Sequence, residues 1–268
     1  MEIEIYKVDA FCEEIFSGNP AAVCPLETWP DDRLMQNIAA ENNLSDTAFF
    51  VRQNDQFKIR WFTPVAEVDL CGHATLAAAH VLFQHMGFSG YKIVFHSRSG
   101  DLEVRKDSDL LTLNFPADLC VPIDVTEDMH RCFSATPIEA CKGKNDYLLV
   151  FPSEEDIANM KVNLSLIEKL KEVRGVIVTA KGDSVDFVSR FFAPRLGIPE
   201  DPVTGSAHTL LTPYWFSKLG KQELTAVQLS ARKGFLQCKN LGDRIEISGK
   251  AKTFLVGRLF LNQHLHGE

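Results

Sequence analysis

Polar and apolar residues alternate over residues 2–8, with Ile3 and Ile5 on one face, which predicts an opening strand. Phe16-Ser17-Gly18-Asn19-Pro20 has the composition of a turn, and the apolar Ala21-Ala22-Val23-Cys24 after it predicts a second short strand. Pro30-Asp31-Asp32 puts proline and acids where a first helical turn favours them. Leu34, Met35, Ile38 and Ala39 give that helix its buried stripe, and Asn42-Asn43 ends it. Residues 47–51 and 57–62 are β-rich and predict a hairpin turning at Gln53-Asn54-Asp55, which leaves Asp46 at a strand mouth. From Gly72 to about His85 the chain is apolar nearly all round, so this helix belongs inside the fold, wrapped by strands. Strands over residues 92–96, 102–105 and 111–115 follow.

The second half repeats the plan. Strands are predicted over residues 147–151, 175–179, 187–192, 225–229, 235–238, 245–248 and 254–261. Leu164, Leu166, Ile167 and Leu170 have helical spacing and predict a helix over residues 164–173. A second apolar helix starts at Gly205. Pro213 inside it has no N–H to give to Thr209, so a kink or early break is expected between Thr209 and Tyr214. The halves match by motif. Arg60-Trp61-Phe62-Thr63-Pro64 corresponds to Arg190-Phe191-Phe192-Ala193-Pro194, and Ser97-Arg98-Ser99-Gly100 to Ala231-Arg232-Lys233-Gly234. Asp69-Leu70-Cys71-Gly72-His73-Ala74-Thr75 corresponds to the stretch from Glu200 to His208. A period of half the chain is too long for a solenoid and predicts two similar domains. The polar, proline-bearing residues 116–127 place the boundary, giving domains 1–117 and 118–268. The last strand has no counterpart in the first half and is free to cross back to it.

Composition narrows the function classes. The formal net charge of −8 argues against nucleic acid and anionic membrane surfaces as partners. The N-terminal residues lack the basic and apolar regions of a signal peptide, and no apolar run reaches membrane length, which predicts a cytoplasmic protein. Seven scattered cysteines, an odd number, read as reduced structural thiols in the main. No CxxC or HxxxH spacing points to a metal, and His80, His85, His264 and His266 read as incidental.

Chemistry enters at the two glycine-led helices. A helix start directs unpaired N–H groups and a partial positive charge at the loop before it, a ready site for a carboxylate. Gly205 allows close approach or a positive φ, and Ser206 can cap. With the halves related by an approximate two-fold axis, both starts face one cleft, and backbone donors hold a ligand carboxylate without an arginine. Asp46, His73, Asp201 and Ser206 are the side chains available there. Each has a plain structural reading as well: Asp46 and Asp201 as turn residues, His73 as a helix-start donor, Ser206 as a cap. Their joint placement at equivalent loop–helix junctions favours function.

Five stretches carry a resemblance: residues 16–23, residues 43–49 (Asn43-Leu44-Ser45-Asp46-Thr47-Ala48-Phe49), residues 60–64, residues 71–76 and residues 200–208. On these the chain resembles the PhzF-like phenazine-biosynthesis protein family, of diaminopimelate epimerase-like fold, and most closely its MAWD-binding-protein branch. The resemblance implies an α+β fold of two similar domains related by pseudo-two-fold symmetry, each a strand barrel around a central buried helix, and a homodimer. It implies a cofactor-free isomerase in which a carboxylate moves a proton between carbons of a cyclic dienoic acid, trans-2,3-dihydro-3-hydroxyanthranilate in the founding member. Carried over by motif, the carboxylate is Asp46, with His73, Asp201 and Ser206 as partners and Gly72, Gly205 and Asn19 against the ligand. The family usually has Glu where this chain has Asp46. Two other readings stand beside this one. A two-base amino-acid epimerase needs a thiol at each helix start, and only Cys71 is present. A non-catalytic interaction module needs an exposed apolar patch instead.

Overall fold

The computed structural model describes residues 1–54, 56–170 and 172–261. Strands dominate, with few helices, and the chain divides into two units: Met1–Leu113 together with the chain from Lys250 onward, and Asn114–Gly249. In the first unit β1 (Glu2–Ala10) pairs antiparallel with β2 (Asn19–Leu26) and, on its other edge, with the C-terminal strand Ala251–Phe260. β2 lies parallel to β3 (Asp46–Gln53), joined to it through α1 (Asp32–Asn42), because parallel neighbours need a crossover. β3 pairs antiparallel with β4 (Gln56–Phe62). β4 takes β5 (Glu67–Val68) antiparallel and β6 (Lys92–Ser97) parallel, the second crossover being α2 (Gly72–Gln84). β7 (Gly100–Asp107) and β8 (Leu110–Pro116) continue antiparallel.

Local chemistry sets the helix ends. The Asp31 side chain caps α1 by accepting from the Arg33 N–H, and Asn43 stops it in the left-handed region at φ 48°. α2 buries every residue from His73 to Ala79 and packs on β1, β2 and β3, its alanine run letting the strands come close. An all-round apolar helix has no solvent face, which is the reason it lies inside.

The second unit adds β9 (Val121–Ile123), α3 (Glu127–Arg131) and β10 (Glu139–Lys142) in front. The same succession of pairings then recurs. β11 (Asp146–Val150) lies parallel to β12 (Gly175–Lys181) across α4 (Glu154–Ala158) and α5 (Leu164–Ile167). β12 is antiparallel to β13 (Phe187–Ala193), which takes β14 (Ile198–Asp201) antiparallel. β13 also takes β15 (Glu223–Gln228) parallel across α6 (Gly205–Leu219), and β16 (Gly234–Asn240) and β17 (Arg244–Gly249) follow antiparallel. The arginine that heads each Arg-aromatic-Phe-x-Pro motif holds the short strand that follows it. Arg60 grips Glu67 of β5 through Nε and Nη2 at 2.7 and 2.8 Å, and Arg190 grips Glu200 of β14 at 2.7 and 2.9 Å. Each guanidinium also lies over the phenylalanine two residues on, at 5.2 and 5.1 Å.

Several expectations change. α6 continues past Pro213 without the early break, and the Thr209 carbonyl that Pro213 leaves without its helical N–H accepts the backbone N–H of Asp118 at 3.1 Å. The helix expected over residues 164–173 stops after Ile167; Arg195 takes the Leu170 and Val173 carbonyls at 3.2 Å, giving that segment partners outside a helix. Glu200 and Asp201 belong to a strand and not to a loop. Gly205 is the first helical residue without a positive φ, and neither Ser206 nor the N-cap Thr204 makes a side-chain cap. The C-terminal strand ends at Phe260. Asp55 of the expected hairpin turn and the tail histidines His264 and His266 lie outside the described residues.

Candidate active site

Parallel pairing of β2 and β3 delivers both strand starts to one end of the sheet. Asn19 opens β2, Asp46 opens β3, and Ala21 stands in register with Asp46. α2 begins beside them with Cys71 at its N-cap, whose side chain does not cap the first N–H groups of the helix. Asn19, Asp46, Cys71 and His73 are all buried. Asn19 Nδ2 lies 3.3 Å from His73 Nδ1, and Cys71 Sγ lies 3.4 Å from the same nitrogen. An amide nitrogen can only donate, so Nδ1 is the bare nitrogen and Nε2 carries the hydrogen. Nε2 faces Asp46 Oδ2 at 3.7 Å and has no hydrogen-bond partner among the described residues. Burial pushes His73 down to about 3, so the imidazole is neutral near pH 7 and presents an N–H toward the carboxylate.

Asp46, Cys71 and His73 offer donor atoms within 4.8 Å of one another, which raises the question of a metal. The thiol stands beside Nδ1 and the carboxylate beside Nε2. These contacts orient the imidazole, and the donor spacing is compatible with a single ion.

In the second unit Asp201 and Ser206 flank the start of α6. Asp201 Oδ2 accepts from the Thr204 hydroxyl at 2.5 Å. Gln228, fully buried at the end of β15, clamps this stretch: it accepts from the Thr204 N–H at 2.8 Å and donates to the Asp201 carbonyl at 2.7 Å. His208 donates Nδ1–H to the Thr204 carbonyl at 2.9 Å, and burial lowers its pKa to about 4. Ser206 Oγ accepts from Arg174 Nη2 at 3.0 Å, and Arg174 is forked onto the buried Asp146. An arginine therefore stands beside the second helix start, which a purely backbone anion site does not include. Neither Gln228 nor Arg174 is legible as a site residue in the sequence alone. Aligning the halves would have located Arg174, since Arg174-Gly175 heads β12 as Ser45-Asp46 heads β3, but not its partners.

The second unit also has a cavity of about 520 Å³ at the other end of α6, lined by Leu119, Cys120, Glu139, Pro213, Tyr214 and Lys218 among others. None of the candidate residues lines it. Among the described residues, no helix is long and apolar enough to cross a membrane, and all seven cysteines are free thiols.

The family described as phenazine biosynthesis-like protein matches residues 8–257. An uncharacterized isomerase of Pseudomonas aeruginosa is 48% identical over 97% of this chain and 100% of its own length. The crystal structure of a PhzF-family phenazine biosynthesis protein from Enterococcus faecalis matches with a TM-score of 0.95 at 46% identity, over 97% of this chain and 100% of that one. A hydroxyproline epimerase from Agrobacterium vitis shares the fold alone, with a TM-score of 0.62 at 10% identity over 98% and 94% of the two chains.

Proposed function

The chain belongs to the phenazine biosynthesis-like protein family, and we propose that it is an isomerase that moves a proton between carbons of a small cyclic carboxylic acid. The supporting observation is the buried Asp46 carboxylate, 3.7 Å from a neutral His73 whose outer nitrogen is held protonated by Asn19 and Cys71. As a carboxylate, Asp46 takes a proton from one ring carbon. As the resulting acid it returns a proton to another carbon of the same conjugated system. One proton leaves and one enters, so no oxidant, reductant or cofactor is required. His73 Nε2–H steadies the charge that develops on the ligand, a task for a fixed donor in a buried site. In the second unit Asp201 and Ser206 are proposed as orienting and relay groups, and the N–H groups at Gly72 and at Gly205 as donors to a carboxylate. The reading includes a cytoplasmic location and a homodimer, and light scattering on the purified protein checks the homodimer.

The two-thiol epimerase reading has less support. Cys71 is the N-cap of α2, whereas the N-cap of α6 is Thr204, so the second thiol is missing. The test is to incubate the protein in D2O with trans-2,3-dihydro-3-hydroxyanthranilate and a panel of small cyclic acids, following deuterium at ring carbons by NMR. Deuterium uptake with double-bond migration is expected for at least one acid. A protein that leaves every cyclic acid undeuterated while deuterating the α-carbon of an amino acid overturns the proposal.

A further inference from the structure

Arg174 is held on three sides. Its Nε and Nη2 donate to Asp146 Oδ1 and Oδ2 at 3.1 and 2.5 Å, its guanidinium lies 5.3 Å from the Phe191 ring centre, and Nη2 also donates to Ser206 Oγ at 3.0 Å. Asp146 is only 3% exposed, so the fork is anchored from the inside of the unit. A bidentate carboxylate fixes the plane of a guanidinium, and the aromatic face limits its tilt.

The consequence falls on the Ser206 hydroxyl. A guanidinium has no acceptor, so Ser206 Oγ must use a lone pair toward Arg174. Its one hydrogen points elsewhere, and among the described residues no acceptor takes it. We propose that Arg174, anchored by Asp146, is a positioning residue that fixes Ser206 as a hydrogen-bond donor toward an anionic group of the ligand. The assignment rests on the proposed function for the identity of that group, a carboxylate. A hydroxyl that already accepts from a cation is a stronger donor.

The first experiment needs no substrate. Ser206→Cys puts a thiol where the hydroxyl is, and its alkylation by iodoacetamide is followed against pH at the peptide level, with and without Arg174→Gln. Arg174→Gln is expected to raise the pKa of that thiol by about one unit or more, the size of shift a neighbouring guanidinium gives. An unchanged pKa overturns the proposal. If Arg174→Gln does not fold because Asp146 is left unpaired, Asp146→Asn/Arg174→Gln removes both charges and carries the same comparison. The second experiment compares calorimetric binding of 3-hydroxyanthranilate with that of 2-aminophenol, the same ring without its carboxylate. Arg174→Gln and Ser206→Ala are each expected to cut the preference for the carboxylate about tenfold, with no further loss when combined. Loss in Ser206→Ala alone, with Arg174→Gln like wild type, overturns the proposal. A wild-type protein without the preference instead overturns the proposed function, and the thiol titration still decides the role of Arg174.

Discussion

The two units use one scaffold and different chemistry. Strand order, the two parallel crossovers and the Arg–Glu fork under an aromatic ring recur almost bond for bond. Register aligns them closely: Phe49 faces Arg60 as Val178 faces Arg190, so Asp46 at the head of β3 corresponds to Gly175 at the head of β12. Glu67 and Glu200 correspond through the fork, which sets Val68 against Asp201 and His73 against Ser206. The first unit thus has a carboxylate at the strand head and an imidazole on the helix. The second has no side chain at the strand head, a hydroxyl on the helix and an acid on the short strand. The strand pairings and the fork recur, and the side chains at the corresponding positions differ.

The largest effect that can break this contrast is expected at Asp46. General acid–base groups supply about 10² to 10⁴ in rate, so Asp46→Ala should lose at least about a hundredfold in deuterium exchange while still binding a substrate analogue. Asp46→Glu sharpens the test by restoring the usual family residue. The longer arm moves the carboxylate by one C–C bond, and a displacement of about 1 Å can change a rate a hundredfold. If the site suits dihydro-hydroxyanthranilate-like acids, Glu should match or exceed wild type on them. Wild-type turnover by Asp46→Ala removes the assignment altogether.

Next is the reason why the second unit has no counterpart of Asp46. A Cβ at Gly175 would stand 2.6 Å from Phe191 Cζ and 2.7 Å from the Phe192 carbonyl oxygen, one of them backbone. Gly175→Ala should therefore destabilise the protein by about 1–3 kcal/mol through overpacking, measured by urea denaturation. An unchanged midpoint means the strand head is open and the missing side chain needs another explanation.

A smaller effect concerns acid. His73 and His208, each on the first turn of its central helix, are buried neutral with values lowered to about 3 and about 4. The unfolded chain protonates histidine near the ordinary value of 6.5, so below that pH the unfolded state binds more protons. Stability then falls as pH drops from about 6.5 toward 4. His208→Asn keeps a donor for the Thr204 carbonyl and removes the titration. Its denaturation midpoint should fall less steeply with acidification than that of wild type, and an equal slope would mean that His208 does not carry the effect.

These residues also mark how far the sequence is legible. The buried helices announce themselves because apolar residues cover every face, and the repeated Arg-aromatic-Phe-x-Pro and Gly-led motifs reveal the duplication. Asp46 is visible by its place at a strand mouth, and so is His73 beside Gly72. What stays hidden depends on contacts between distant segments. β5 has two residues and cannot display a period. Gln228 clamps the Asp201–Thr204 stretch from a strand 24 residues beyond Thr204, and Arg174 reaches Ser206 across 32 residues. The Thr209 carbonyl that Pro213 frees in α6 is taken by an N–H from Asp118, a donor that no local propensity contains.

The smallest effect is expected at Cys71, and it separates two chemistries that share this fold. Cys71 Sγ stands 3.4 Å from His73 Nδ1, where Asn19 Nδ2 already lies at 3.3 Å. In the proposed reaction the thiol only helps keep Nδ1 bare, so its removal leaves one donor in place and the Nε2–H still turned to Asp46. Cys71→Ser keeps a hydroxyl donor at the helix cap and should change kcat/KM by less than about tenfold, or roughly 1.4 kcal/mol. In a thiol epimerase the same sulfur is a base that touches the reacting carbon. A serine hydroxyl, far weaker as a base at neutral pH, would then lose at least about the 10² that a proton-transfer group supplies. Measuring Cys71→Ser and Asp46→Ala on one substrate therefore ranks the two groups directly. A greater loss at Cys71 than at Asp46 would transfer the proton chemistry from the strand head to the helix cap.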